Sequence, residues 1–417
     1  MEREKDIYVY IDSGESKNPV PMGVLHSEIL RGKEIFSFDA DSEWLKHKEL
    51  RGLDPDLLQI SGKQYLSEGK SNFGLFLDSS PDRWGRMLMR RREAIRAREE
   101  GRTAIKYTEA DYLLGVYDGN RSGALRFKTS SDGDFMDNDK KMTTPPWTSI
   151  RDLEYASLQL EQDEDSIHND KWLNMLVAPG SSLGGARPKA NILDSEGSLW
   201  IAKFPSNRDD KDSGAWEAVA ASMAKSCGIL MSECKSMRFN KKEHTFLTKR
   251  FDRVGNDRII FVSAMTMLGY VDGSDASNGV SYLELAEWIE RNCNDVSFNL
   301  EQLWRRIVFN IAVSNCDDHL RNHGFLFTKN GWSLSPAFDI NPDELGNGLK
   351  LNVSEEDNSL NFDLALSVAG FFGIDNKLAV NILSNIKNVV STWRKIASFY
   401  DISRSEQDKM ESAFRYK

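Results

Sequence analysis

A chain of 417 residues is long enough for two or three domains, each with its own core. Apolar residues make up 40% and charged residues 28%, as in a soluble globular protein, and the net charge of −10 argues against coating of nucleic acid or of an anionic membrane while leaving room for a local basic patch. The opening MEREKDIYVYIDSG has no apolar signal core, no apolar run reaches membrane-spanning length, and Cys227, Cys234, Cys293 and Cys316 show no C-x-x-C spacing, so the expected setting is the cytoplasm, with reduced thiols and no membrane partner.

Residues 7–11 and 33–38 read as strands, with a loop around Pro19, Pro21 and Gly23 between them. Ser80-Pro81-Asp82 reads as a helix start: a cap residue, proline in the first turn, then an acid at the positive end of the dipole. That helix is expected to reach about residue 100 and carries Arg83, Arg86, Arg90, Arg91, Arg92, Arg96 and Arg98. Such a face can bind nucleic acid, but Glu93, Glu99 and Glu100 make a solvated, internally paired helix the favoured reading. Residues 109–116 are helical by pattern, Asp118-Gly119 turns, and 123–127 is a short strand. The polar, acidic stretch 130–141, followed by Thr143-Thr144-Pro145-Pro146, is the expected domain boundary. Helices at about 148–160 and 167–177 come next.

Residues 179–189 read PGSSLGGARPK. Gly184 and Gly185 let the backbone approach a ligand, and serine hydroxyls and amides can donate to phosphate oxygens. The loop is neither a Walker A nor a G-x-G-x-x-G motif, and on its own it is equally an ordinary glycine turn. Two strands at 190–193 and 199–204 follow, the second carrying Lys203 among Ile201, Ala202 and Phe204. A lysine in an apolar strand after a glycine loop matches the phosphate-binding lysine of a kinase small lobe, against the plainer reading of an edge-strand lysine. The helix at 213–227, stopped by Gly228, offers Glu217 as an ion-pair partner for Lys203. The strand at 244–251, HTFLTKRF, is placed to line an adenine. Helices are expected at 281–291, 299–314, 362–371, 376–390 and 391–400.

The densest polar cluster follows the apolar run of Leu303, Ile307 and Ile311: Asn315, Asp317, Asp318, His319, Asn322 and His323. Two short strands, 324–327 and 331–334, then lead to Asp339. Such a cluster is costly in a fold unless its groups are paired or bind something. Asp317 and Asn322 have the D-x-x-x-x-N spacing of a kinase catalytic loop, and Asp339 comes one hairpin later, where a kinase places its second metal-binding acid. The order predicts an α+β, bilobal kinase-like fold, with a mixed α/β N-terminal part and a mostly helical C-terminal lobe, divided as 1–140, 141–280 and 281–417.

These stretches resemble the HipA family of bacterial serine/threonine kinases, the toxins of HipBA-type toxin–antitoxin pairs. The likeness lies in SSLGGARPK at 181–189, IAKFP at 201–205, LTKRFDR at 247–253, NCDDHLRNHGF at 315–325 and PAFDINP at 336–342, with FLDSSPDRWGR at 76–86 and GVYDGNRSGALRF at 115–127 extending it toward the N-terminus. The resemblance implies a growth-arresting, persistence-type toxin that uses ATP and Mg2+. It implies Asp317 as the catalytic acid, Asn322 and Asp339 as metal ligands, and Ser182, Gly184, Gly185, Lys189, Lys203, Lys249, Phe251 and His319 as the ATP-binding set. It implies inhibitory autophosphorylation in the glycine loop, on Ser182 or its neighbour Ser181. It further implies a HipB-like helix-turn-helix antitoxin partner and a substrate in the translation machinery such as glutamyl-tRNA synthetase, with DNA reached through the antitoxin. Two other readings stand beside it. One is a catalytically weak co-repressor that binds the antitoxin on operator DNA. The other is a metal hydrolase built on Asp317, His319, His323 and Asp339, which lacks the glutamate of H-E-x-x-H because Leu320 follows His319.

Overall fold

Alternation in EKDIYVYI puts Ile7, Val9 and Ile11 on one buried face and makes residues Glu4–Ile11 a half-buried strand, β1. Its partner β2, Val20–Leu30, runs straight through the segment expected to loop. The β1–β2 register slips between Val9 and Tyr10, which face Gly23 and Pro21, so Met22 is the extra residue of a bulge. Pairing with β3, Lys33–Ala40, ends at Gly23, so Pro21 has no ladder bond to donate on that side. Gly23 is obligatory, because a Cβ there would lie 2.2 Å from the Asp39 carbonyl oxygen. With β4, Lys63–Tyr65, and β5, Leu125–Lys128, these strands form an antiparallel sheet in the order β4-β3-β2-β1-β5. Phe73 meets Phe38 and Phe76 edge-on, Phe76 meets Phe127 edge-on, and Phe38 and Phe76 pack at a tilt.

The computed structural model describes residues 4–14, 18–136, 144–162, 173, 175–176, 185 and 187–417. Ser181, Ser182 and Gly184 lie outside the described residues, as does most of the helix expected at 167–177. The chain divides into two compact units, Met1–Asn207 with Asp252–Val262, and Arg208–Phe251 with Ser263–Lys417.

In the first unit, α1 (Gly74–Asp78) leads into α2 (Arg83–Glu99). The cap of α2 is Asp82, which accepts from the Gly85 amide at 2.8 Å, and not Ser80, whose hydroxyl still closes α1 by donating to the Phe76 carbonyl. Arg86 makes a two-pronged pair with Glu109, and Arg91 donates to the Leu160 carbonyl. Glu93 pairs with Arg102, beyond the helix, while Arg83, Arg90, Arg96 and Arg98 are exposed. Helices α3, Glu109–Leu114, and α4, Ile150–Gln162, follow, then an antiparallel hairpin of β6, Lys189–Leu193, and β7, Leu199–Lys203. The 252–262 segment joins this unit through Asp252, which accepts from the Gly123 amide, and Arg253, which donates to the Arg121 carbonyl.

In the second unit, α5, Ser213–Ser226, is capped by Asp212 and packs on a hairpin of β8, Cys234–Met237, and β9, Thr245–Lys249. Gly214 permits that contact, since a Cβ there would meet the His244 carbonyl oxygen at 2.0 Å. A short α6, Ala264–Met267, precedes α7, Tyr282–Asn292, and α8, Val296–Val313. Helix α8 is the hub: α7, the hairpin β10 (Gly324–Thr328) and β11 (Gly331–Leu334), and the C-terminal helices α9 (Phe362–Val368) and α10 (Asn376–Val390) pack around it, its contact with the hairpin made through β11. Helices α11, Trp393–Phe399, and α12, Arg404–Lys409, complete the unit. No helix among the described residues is long and apolar enough to cross a membrane.

Candidate active site

The apolar run of α8 stops at Ser314, whose φ of 49° is left-handed and unfavourable for a residue with a Cβ. The turn is held by the Asn315 amide on the Asn310 carbonyl at 2.9 Å and by Arg415, which donates to the Ser314 hydroxyl at 3.1 Å. The chain then reverses into the polar loop. Asp317 is exposed. Its carbonyl accepts from the His319 amide at 2.9 Å and from the Asn322 side-chain amide at 3.0 Å. The structure therefore brings Asp317 and Asn322 together across one short turn. The Asn322 Nδ2 is committed to that turn, and its Oδ1 is the atom it offers to a cation.

The next residue, Asp318, points the other way. It is 3% exposed, and its Oδ2 accepts from the Tyr282 hydroxyl at 2.6 Å, the Asn310 Nδ2 at 2.7 Å and the His323 Nε2 at 2.8 Å. Burial alone would raise its pKa. The charge and hydrogen bond of His323 and the Tyr282 bond outweigh burial and hold it below the usual carboxylate range. The same burial and the Asp318 charge drive the Tyr282 phenol well above 10, so Tyr282 stays a donor. Arg306, fully buried on α8 and pulled down by burial to about 10, still carries its charge at neutral pH and donates to the Ser335 carbonyl on the way to Asp339.

Asp339 follows the hairpin, with a φ of 58°. The segment before it is fixed where the Ala337 amide donates to the Leu230 carbonyl at 2.8 Å. Its Oδ1 accepts from Asn341 Nδ2 at 3.2 Å, and the Asn341 amide in turn donates to Asn315 Oδ1 at 3.2 Å. Asp339 is thus tied back to the loop of Asp317. Phe338, beside it, packs against Phe251 with ring centroids 5.4 Å apart, so the aromatic expected at the adenine reaches the neighbour of Asp339. Lys249, two residues earlier, closes β9 with its amide on the Glu233 carbonyl. Glu217 is buried on α5 in this unit, and Lys203 is half-buried at the end of β7 in the other.

Lys189 departs most from expectation. It lies in β6 directly opposite Lys203, but its ammonium is buried, 2.8 Å from Asp82 Oδ2 and 2.8 Å from the Gly185 carbonyl. His319 keeps a buried Nδ1 with no hydrogen-bond partner. Hard oxygen donors on Asn322 and Asp339 suit Mg2+. Among the described residues no three His, Cys, Asp or Glu side chains gather as a zinc site requires, and the His323 Nε2 is taken by Asp318. Sequence reasoning passed over Tyr282, Asn310, Asn341 and Phe338. The signal for Asn310 was present: one amide inside the apolar run Ile307 to Val313.

Residues 181–393, just over half of the chain, match the family described as HipA-like C-terminal domain. A Haemophilus influenzae protein named "Putative kinase" is 29% identical over 109 residues, which are 24% of this chain and 32% of that protein. The match thus spans about a third of the relative's length. Among solved structures, the complex of Shewanella oneidensis MR-1 toxin–antitoxin proteins HipA and HipB with operator DNA contains a chain of the same fold. It superposes with a TM-score of 0.65 over 98% of this chain and 94% of that one, at 14% identity. The mixed α+β, kinase-like architecture expected from the sequence is the one found.

Proposed function

Because the chain belongs to the family with a HipA-like C-terminal domain, we propose that it is an ATP- and Mg2+-dependent serine/threonine protein kinase. One observation carries the reading. An exposed Asp317 sits on a turn pinned by Asn322, and Asp339, one hairpin on, is tied to the same loop through Asn341 and Asn315. Bound Mg2+·ATP supplies the phosphoryl group and neutralises its developing charge. The protein's part is positioning. Asp317 orients the attacking hydroxyl and accepts its proton. Asn322 and Asp339 present oxygens to the metal, and Lys203 meets the phosphates. Phe251 and the backbone near Lys249 line the adenine, and the His319 Nδ1, without a protein partner, is available to the nucleotide.

We infer that the biological role is that of a cytoplasmic growth-arrest toxin held by a HipB-like antitoxin, with a substrate in the translation machinery, glutamyl-tRNA synthetase being the first to try. Phosphate on Ser182 or Ser181 would add roughly −1.5 to −2 charge beside the triphosphate and switch the enzyme off. The Shewanella HipA was crystallised with HipB and operator DNA, which keeps a co-repressor role in view as a second reading. The test is transfer of labelled phosphate from ATP with Mg2+ to the protein itself and to translation factors, comparing Asp317→Ala, with modified serines mapped by mass spectrometry. Transfer that needs Asp317 supports the reading. Equal transfer by Asp317→Ala, or none from the wild type alongside antitoxin-dependent operator binding, overturns it.

A further inference from the structure

The two neighbouring aspartates face opposite ways, and only one faces solvent. From this we infer that Asp318 is the positioning residue of the site: it fixes, through an asparagine relay, both the loop of Asp317 and the loop of Asp339. The inference rests on the kinase reading above.

The relay has a direction set by charge. An ionised carboxylate only accepts hydrogen bonds, so Asn310 must present its Nδ2 to Asp318, as it does at 2.7 Å. The Asn310 Oδ1 is then the acceptor, and it takes the Asn315 Nδ2 at 3.1 Å. That leaves the Asn315 Oδ1 to receive the Asn341 amide at 3.2 Å, and Asn341 Nδ2 ends the chain on Asp339 at 3.2 Å. The orientations of Asn310 and Asn315 follow in turn from the charge on Asp318, and the Asn341 backbone amide ties the Asp339 loop to them. Three donors converge on one oxygen, Oδ2, which an anion tolerates and a neutral amide oxygen serves poorly. His323 Nε2 lies 2.8 Å from the Asp318 carboxylate, which can only accept, so that nitrogen carries a proton. His323 also ties the loop to α6, its carbonyl accepting from the Ala264 amide at 2.9 Å. Loss of the charge on Asp318 therefore releases the orientations of Asn310 and Asn315, and with them the anchor that holds the Asn341 backbone beside the proposed metal-binding acid.

The experiment compares Asp317→Ala, Asp318→Asn and Tyr282→Phe in the full chain. Tyr282→Phe removes one donor and keeps the ring, so it remains informative if Asp318→Asn fails to fold. Turnover of ATP is measured against Mg2+ and against ATP. Mn2+ binding in the presence of a non-hydrolysable ATP analogue is followed by electron paramagnetic resonance. Asp318→Asn should lower kcat by about 10-fold to 100-fold, the loss expected of a charge-assisted hydrogen bond, and Tyr282→Phe by several-fold less. Both should raise the Mg2+ half-activation point and weaken Mn2+ binding, with the KM for ATP changed by no more than about 3-fold. A purely structural role would lower the amount of folded protein without moving the metal dependence. Folded Asp318→Asn and Tyr282→Phe with wild-type kcat and metal dependence, beside an inactive Asp317→Ala, would sink this inference alone. An active Asp317→Ala would sink the kinase reading first.

Discussion

Replacing Lys189 by methionine takes a buried ammonium partner from Asp82. Both side chains are 2% exposed, their atoms are 2.8 Å apart, and Lys189 also satisfies the Gly185 carbonyl. Removing one member of a buried ion pair costs about 3–5 kcal/mol. Asp82 also caps α2 through Gly85, so it cannot simply swing out to water without losing a bond worth about 1 kcal/mol. The double variant Asp82→Asn/Lys189→Met keeps a capping side chain and removes both charges, so it should recover most of the loss. Urea unfolding followed by tryptophan fluorescence is the assay, and Trp84, whose indole donates to the Lys189 carbonyl at 3.1 Å, is a local reporter. A single variant within about 1 kcal/mol of wild type, or a double variant no more stable than the single, would refute the pair's assigned role. The same proteins decide what Lys189 does for nucleotide. A tether to α2 predicts that the double variant regains ATP affinity with its stability, whereas a direct ligand of ATP predicts that stability returns alone.

Three further outcomes are expected. Lys203→Ala should weaken ATP binding or turnover by about 1.5–3 kcal/mol, the loss of one charge-assisted contact, and an unchanged KM and kcat would return Lys203 to an ordinary strand position. Burial raises the Asp54 carboxyl to about 6 against the Leu75 and Asp56 amide bonds; because the folded state then holds its proton more tightly than the unfolded state, the contribution of Asp54 to stability is fullest below about pH 4 and falls on the order of 3 kcal/mol as pH rises toward 6, a slope whose loss in Asp54→Asn urea titrations should be visible against wild type. Gly214→Ala should destabilise the second unit by about 1–3 kcal/mol or more, since the added methyl meets backbone and not a flexible side chain, and a wild-type melting temperature would show that α5 can shift away from β9.

Much of the second unit was legible because its elements rest on local pattern. The 376–390 helix and the 331–334 strand fall where periodicity put them. The Asp317 loop and Asp339 stood out because clustered polar residues after an apolar helix need a reason. What escaped was decided by partners distant in sequence. Strand β2 was hidden by Pro21 and Gly23, which are turn signals locally but serve a bulge once β1 and β3 flank them. The helix cap moved from Ser80 to Asp82 because Ser80 was still engaged with α1. The hold of Asp82 on Lys189, from 107 residues away, left no local signal beside the glycine loop. Tyr282 and Asn310 gave no motif, because their task is to face a buried oxygen and not a substrate.

The clamp on Ser314 comes from Arg415, 101 residues further along the chain. Near it, Glu406 accepts from the Asp212 amide and from the Trp216 indole, each at 2.8 Å, closing the start of α5. Synthesis on a ribosome is vectorial, so the turn that launches the Asp317 loop is made long before the arginine that locks it. A nascent chain can have every residue of the proposed site and still lack the last brace on its geometry. The acids of the proposed site are thereby made before their clamp, and an interrupted message that ends before Arg415 yields the acids without it.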